Sequence, residues 1–325
     1  MSCEVDPRGD TLITLQDANN LKEVISENQF LVSKKHLVLA SPRARKVLEG
    51  SFKEATPGDD GLFHWKFEPI FDPKAFEIVM KIIHGQTRYI PREIDLALLA
   101  QITAIVDDLE CHNTVWFFAK SWLKHIENRI PREICEDLMR WILISFVFEE
   151  PELFRKATAI AIKYSTDVLH TFNLPIRPKI LDDIGVKREN IFKNMFSRIY
   201  HLEYQLLGSS IGCNKGCRAM MLGTLSQGLR WSSLSACSFT PYVSLSIRRA
   251  LEELKAIKSL DYYCAEQEST NQTKSENEET VPSKLVRHKC RLEDHLSLLL
   301  RATIAEFEGL ELSKYLDNEK ARIIC

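Results

Sequence analysis

Alternating hydrophobic and polar positions in the first seventy residues predict a small sheet. The alternation has a period of two, and β-branched and aromatic side chains are frequent in it, as is typical of half-buried strands. The strands are predicted at residues 11–15, 29–32 and 63–67. Between the second and third strands the pattern changes and predicts two short helices, at 35–39 and 43–48. Ser41 is the expected N-cap of the second helix.

Stripes of apolar residues at every third or fourth position predict longer helices after the third strand. The clearest begins with Asp72 as N-cap and Pro73 in the first turn, and Gly85 ends it. A second stripe covers 94–109, and a third begins at Asn113 or Thr114. Helices segregated against a small sheet define an α+β unit. The inward positions, and so the predicted core, are Leu12, Leu31, Leu39, Phe67, Phe76, Val79, Met80, Leu99, Ile102, Phe118 and Trp122.

The rest of the chain is predicted to be an all-α region. Residues 138–148 are apolar on all sides, which is typical of a buried helix. Further helices are expected at 188–206, 217–229, 244–261 and 291–307. The polar stretch at about 266–282 has no aromatic residue and predicts a mobile linker. The expected domains are the α+β module at 8–128, a helical extension at 129–175 and a carboxyl-terminal helical region at 176–325.

Composition narrows the function classes. With 325 residues, 45% hydrophobic and 27% charged, the chain has globular values and a length typical of about two domains. The net charge of −2 gives no general attraction to nucleic acid. The first residues are acidic rather than apolar, and the longest strongly apolar run is too short to cross a bilayer. A cytoplasmic or nuclear protein without a membrane partner is expected, and its nine cysteines are expected to be thiols or metal ligands.

Four short segments carry a resemblance to a known family. Residues 33–42 read Ser-Lys-Lys-His-Leu-Val-Leu-Ala-Ser-Pro, and Gly50-Ser-Phe-Lys-Glu follows them. Ile-Ile-His-Gly ends the helix at 85, and Asp-Asp-Leu-Glu-Cys occupies 107–111. Over about residues 8–128 the chain resembles BTB/POZ domain proteins of the filamentous-fungal type. It departs from many of them at Arg43 and Ala44, where an aromatic residue often follows the Ser-Pro pair.

This resemblance implies an interaction protein rather than an enzyme. BTB domains bind proteins and catalyse no reaction, so an adaptor is the expected function. A cullin-type ubiquitin-ligase scaffold is one partner class that the resemblance implies. The strand-swapped homodimer of BTB transcription factors is not expected, because it uses a helix before the first strand. Here the preceding residues include Pro7 and Gly9, which disfavour a helix.

Four cysteines in the carboxyl-terminal region form the candidate chemical site. Cys213, Cys217, Cys264 and Cys290 provide enough thiolates for a closed tetrahedral zinc site, with His288 as an alternative ligand. The alternative is that the same residues are ordinary small core or surface cysteines. A zinc-binding helical domain with an enzymatic or nucleic-acid role is the alternative function. Dinucleotide, phosphate-loop, serine-hydrolase and zinc-protease motifs are absent from the sequence.

Overall fold

Two units, each assembled from separate stretches of chain, make up the part of the protein that the structure describes. The structure is a computed structural model and describes residues 2–16, 27–126, 129–208, 210–234, 244–261, 263–265, 285–287 and 289–316. Unit 1 draws its described residues from Met1–Ala161, His170–Leu181 and Gly309–Cys325, and unit 2 from Ile162–Leu169 and Asp182–Glu308. The predicted boundaries at 128 and 175 stay predictions. None of the described helices has both the length and the apolar content needed to cross a membrane.

A four-stranded mixed sheet forms one layer of unit 1. The strands are β1 (Ser2–Glu4), β2 (Thr11–Gln16), β3 (Glu27–Val32) and β4 (Phe63–Phe67), in the spatial order β1-β3-β2-β4. β2 pairs antiparallel with β3 and parallel with β4, and β1 pairs parallel with β3. The coarse α+β prediction is confirmed. The sequence pattern had not indicated β1, which has only three residues.

Strands β2 and β3 bury the face opposite to the one predicted, whereas β4 buries Phe67 as predicted. Ile13 lies opposite Phe30 on one side and opposite Trp65 on the other, and all three side chains are buried. Leu12 and Leu31, which were predicted to be core residues, are only half-buried. Since side chains alternate between faces, an error of one residue moves a whole strand's apolar set to the other side.

Seven α-helices begin in the first stretch of unit 1 among the residues that the structure describes, and the last of them ends in unit 2. They are α1 (Lys34–Ala40), α2 (Pro42–Glu49), α3 (Pro73–Ile83), α4 (Leu96–Leu109), α5 (His112–Ile126), α6 (Glu136–Val147) and α7 (Pro151–Tyr164). The predicted N-caps are confirmed: Ser41 accepts a hydrogen bond from the Ala44 amide, and Asp72 accepts one from the Ala75 amide. The predicted start of α5 at Asn113 or Thr114 is wrong, because the helix already begins at His112.

The helical part of the predicted core is largely confirmed. Phe67, Phe76, Val79, Met80, Leu99, Ile102 and Trp122 are buried, and so is most of α6. Phe118 is half-buried. Leu39 was wrongly placed in the core, since it is 78% exposed. In the short helix α1, Leu37 is the residue that faces inward. Leu39 lies two residues further along, which is about half a helical turn, so its side chain points to the opposite side.

His84 joins the end of α3 to the beginning of α1. Its Nε2 accepts a hydrogen bond from the Ser33 amide at 2.9 Å, so the proton of the ring must be on Nδ1. Nδ1 donates to the Met80 carbonyl at 2.8 Å. Burial lowers the pKa of His84, and both contacts are made by the neutral ring. Gly85 follows at φ +72°, the left-handed conformation in which glycine commonly ends a helix.

A late segment of the chain closes against α7. The Leu310 amide donates a hydrogen bond to the Thr158 hydroxyl at 2.8 Å, and the Tyr315 ring lies edge-on to Phe154 at 5.8 Å. A Cβ on Gly309 would lie 1.8 Å from the Arg155 carbonyl oxygen, so only glycine allows this approach. Unit 1 therefore needs residues near 309–315 to cover its last helix.

Among its described residues, unit 2 has four α-helices and one pair of short strands. The helices are α8 (Pro178–Leu207), α9 (Lys215–Trp231), α10 (Ile247–Ala256) and α11 (Leu292–Ile304); α8 begins in unit 1. β5 (Tyr263–Ala265) pairs antiparallel with β6 (Leu285–Arg287), so the prediction of an all-α region is wrong. Three residues are too few for a periodicity to be visible. The linker predicted at about 266–282 lies outside the described residues.

A buried arginine holds the start of α10 in place within unit 2. Arg188 of α8 is 7% exposed, and its guanidinium donates to the carbonyls of Ser165, Thr166 and Leu245 at 2.7–3.0 Å. The same group lies over the Phe192 ring. Three backbone acceptors from two separate segments are satisfied by one side chain, which fixes those segments relative to α8.

Candidate functional site

Three of the four cysteines predicted to bind metal converge in unit 2. The Sγ atoms of Cys213, Cys217 and Cys290 all lie within 4.8 Å of one another. Cys213 is exposed, Cys217 is buried and Cys290 is half-buried. The residues come from two distant parts of the sequence, so the fold has to bring them together.

The first two cysteines are positioned by the start of α9. Asn214 is the N-cap, and its side chain accepts a hydrogen bond from the Cys217 amide at 2.8 Å. Just before it, Gly212 has φ +86°, and a Cβ there would lie 2.8 Å from Arg218 Cγ and 3.4 Å from Cys217 Sγ. The glycine thus lets the chain turn tightly over the buried sulfur, which places Cys213 beside Cys217.

The third cysteine is positioned by the packing of α10 and α11. Cys290 lies two residues before α11, whose first residue is Leu292. The Leu292 amide donates to Ser259 Oγ at 2.7 Å, and the Ser259 hydroxyl also bonds Glu293. These contacts hold the beginning of α11 against the segment that follows α10. They therefore determine the position of Cys290, which lies two residues before the helix.

The surroundings of Cys213 and Cys217 favour their neutral thiol form in the absence of a cation. Burial raises the pKa of Cys217 to about 11, and the neighbouring Cys290 thiol adds to the rise. The Cys213 backbone amide donates to the Cys217 sulfur and acts in the opposite direction. Burial, followed by the Cys290 thiol, also raises the pKa of Cys213. A bound cation would reverse this preference, since metals bind the thiolate and displace its proton.

The geometry of the cluster suits a soft tetrahedral cation. A zinc–sulfur bond of about 2.3 Å places two thiolates of a tetrahedral site roughly 3.8 Å apart. The observed upper limit of 4.8 Å is wider by about an ångström, which small side-chain rotations can close. Three sulfur donors favour zinc or another thiophilic metal over magnesium or calcium, which prefer oxygen.

The remaining two predicted ligands are only partly described. Cys264 lies in β5, with its Cα opposite that of Val286 in β6, four residues before Cys290. The Cys264 side chain and the residue His288 lie outside the part of the chain that the structure describes. The backbone register of β5 and β6 is therefore the structural information that concerns the fourth ligand.

A cleft in unit 1 is a second candidate site, and the sequence had not indicated it. It has a volume of 540 Å³, within the usual range for ligand-binding pockets. Its floor is a stripe of α4 that carries Ala97, Ala100 and Ala104, and Phe71 lies on one side. In the sequence, the one signal for this cleft was the row of short alanine side chains on one side of α4. The cleft also requires α6 and the segment at 172–177, which are distant in sequence.

The rim of the cleft is charged and conformationally fixed. Arg177 pairs with Asp107 at 2.9 Å at this rim. Burial acts to raise the pKa of Asp107, but the hydrogen bond from His112 and the charge of Arg177 outweigh it and hold that pKa below its ordinary value. Phe172 and Asn173 have φ of +52° and +63°, values that few non-glycine residues adopt. The 46% exposed Phe172 ring and the 69% exposed Ile70 side chain add apolar surface at the opening. A cleft with an alanine floor and charged walls can take a segment of another protein that carries both apolar and polar side chains.

Comparison with known proteins adds no family: no family model matches the chain, and no curated protein matches it. Function is therefore inferred from the order of the elements, the cleft of unit 1 and the cysteine cluster of unit 2. Of these, the cleft bears on binding to other proteins and the cluster bears on metal binding.

Proposed function

We propose that the protein is an adaptor whose unit 1 is a BTB/POZ-type protein-interaction module. The order β2, β3, α1, α2, β4, α3, α4, α5 supports this, since two strands, two short helices, one strand and three helices are expected from the resemblance. The residues that carry the resemblance lie on or beside these helices. His36 is the third residue of α1, Ser41 caps α2, and Cys111 lies two residues after the end of α4.

The cleft is the observation that carries the binding role. It combines an alanine floor, exposed apolar side chains at its opening and a charged rim in one unit. Interfaces that bind other proteins typically have an apolar centre with a polar edge. We propose that this face receives the partner and that the protein catalyses no reaction there. A cullin-type ubiquitin-ligase scaffold is the first partner class to test.

The test is a binding experiment with the full chain. Ala104→Arg places a long charged side chain on the floor of the cleft, and Asp59→Arg adds the same group at an exposed loop position elsewhere in unit 1. Purified cullin amino-terminal domain and the proteins recovered by affinity purification are titrated calorimetrically against each variant. Circular dichroism first verifies that all three proteins are equally folded.

We expect saturable binding of at least one of these proteins to the wild type and to Asp59→Arg. Ala104→Arg should lower the affinity at least about tenfold, because it fills the apolar centre where most binding energy is concentrated. Equal affinity in both variants would remove the cleft from the proposal. Absence of any saturable partner would count against the adaptor role.

A further inference from the structure

We propose that Cys213, Cys217 and Cys290 bind a structural zinc ion and that Cys264 is its fourth ligand. The metal would join three elements of unit 2: the start of α9, the β5–β6 pair and the start of α11. This is a metal site in addition to the proposed adaptor role, and it does not depend on that role.

Three of the ligands are assigned by distance and donor type. Their sulfurs already lie within 4.8 Å of one another, although Cys217 and Cys290 are separated by more than seventy positions. An ordinary buried cysteine behaves as a small apolar side chain, and chance packing does not require three thiols to face each other. Small side-chain rotations bring thiolates at this separation to the roughly 3.8 Å that a tetrahedral zinc ion needs.

The surroundings of the sulfurs also fit a metal. The Cys213 amide donates to the Cys217 sulfur, and hydrogen bonds of this kind orient and stabilise metal-bound ligands. The tight approach of Gly212 to Cys217 leaves no space for a side chain between the loop and the sulfur. Four thiolates around one zinc ion carry a net charge of −2, and cationic residues flank the ligands in sequence. These are Lys215, Arg218, Lys289 and Arg291.

The strand register points to the fourth ligand. Because Cys264 lies opposite Val286, its backbone is within the roughly 5 Å strand spacing of β6. Only four residues lead from Val286 to Cys290, a length of chain short enough to keep the Cys264 backbone within reach of the cluster. This register and the thiol chemistry of Cys264 make it the candidate for the fourth position. Four protein ligands leave no open position, which makes the site architectural rather than catalytic.

Metal content of the full chain tests the three assigned ligands. Protein purified under reducing conditions is analysed for zinc, and apoprotein is then titrated with Co²⁺, whose absorption bands report tetrahedral thiolate coordination. We expect about one zinc ion per chain and a thiolate-type cobalt spectrum. Cys217→Ser and Cys290→Ser should each lower zinc affinity at least about tenfold, and Cys135→Ser in unit 1 is the matched control.

The fourth ligand is tested by two further variants. Cys264→Ser should lower zinc affinity as strongly as Cys290→Ser and weaken the sulfur contribution to the cobalt spectrum, while His288→Ala should change neither. The opposite pattern would overturn the assignment of Cys264. Wild-type protein that contains no zinc and gives no cobalt spectrum would overturn the site as a whole.

Hydrogen exchange provides a readout that does not depend on metal analysis. Removing zinc with a chelator should increase exchange in peptides around 210–217 and 285–292, because the binding energy stabilises the elements that hold the ligands. Peptides from β2, α3 and α4 in unit 1 should exchange as before. Unchanged exchange around the cysteines after demetallation would contradict a structural role.

Discussion

Truncation of Trp122 should destabilise unit 1 more than most single substitutions. The Trp122 side chain on α5 is 1% exposed and is among the largest fully buried groups of the protein. Its indole Nε1 donates a hydrogen bond to the Pro91 carbonyl at 2.8 Å, and its ring lies 5.9 Å from that of Phe118. Trp122→Ala removes the packing and the hydrogen-bond donor together.

The cost follows from these two losses. Replacing a buried tryptophan by alanine typically costs about 3–5 kcal/mol, because the surrounding side chains only partly close the cavity. The Pro91 carbonyl loses its partner as well, which places the expected value in the upper part of that range. Single domains are stable by about 5–15 kcal/mol, so the substitution should remove a large share of the free energy of unfolding of unit 1.

The same helix supplies a matched control. Trp116 is 53% exposed, and Trp116→Ala should cost less than about 1 kcal/mol, mainly through its contact with Lys120. Because a protein of two units need not unfold in one step, we would measure opening free energies by native-state hydrogen exchange in peptides of α4 and α5. If the two alanine variants agreed within about 1 kcal/mol, the packing role given to Trp122 would be wrong.

Three further substitutions probe other parts of the structure. Burial, together with the His36 ring 5.0 Å away, lowers the pKa of His84. The stability that His84 confers should therefore be complete above its unfolded pKa of about 6.5 and should decline as the pH falls below that value. Urea midpoints of wild type and His84→Gln should differ at neutral pH and converge in acid. Gly309→Ala should cost more than about 2 kcal/mol in thermal or urea unfolding, whereas Gly185→Ala, where a Cβ meets nothing within 4 Å, should be neutral or slightly stabilising. Arg188→Lys cannot serve three carbonyls at once and should cost about 2–4 kcal/mol, seen as faster hydrogen exchange at the start of α10; exchange equal to wild type would contradict the bracing role.

Signals that act over a few residues could be predicted from the sequence. Ser41 and Asp72 were identified as helix caps because a cap bonds an amide only three positions away. The same reasoning located Gly85, whose positive φ depends on the local helix end. Nothing outside these short segments was needed to identify them.

Features that depend on distant neighbours could not be predicted in the same way. Leu12 and Ile13 are equally apolar, and only the pairing with Phe30 and Trp65 decides which of them is buried. The candidate cleft escaped prediction for a similar reason, since its walls come from segments far apart in sequence.

The cysteine cluster lies between these two cases. Cys213 and Cys217 could be grouped by spacing, and Cys290 could be added only because thiols share a chemistry. The distance between them is set by how α11 starts against Ser259, a contact that no sequence pattern encodes. The chemistry of the site was therefore predictable, and its assembly was not.

The return of the chain to α7 has a consequence for the order in which the protein is made. Leu310 bonds Thr158 from 152 positions further along the sequence, after the whole of unit 2 has been synthesised. At about 5–20 residues per second, a ribosome needs roughly 8–30 s to add that length. During this interval the side of α7 that Tyr315 later contacts has no cover from its own chain. A nascent chain of this protein therefore presents Phe154 to chaperones after most of the sheet and helices of unit 1 have emerged.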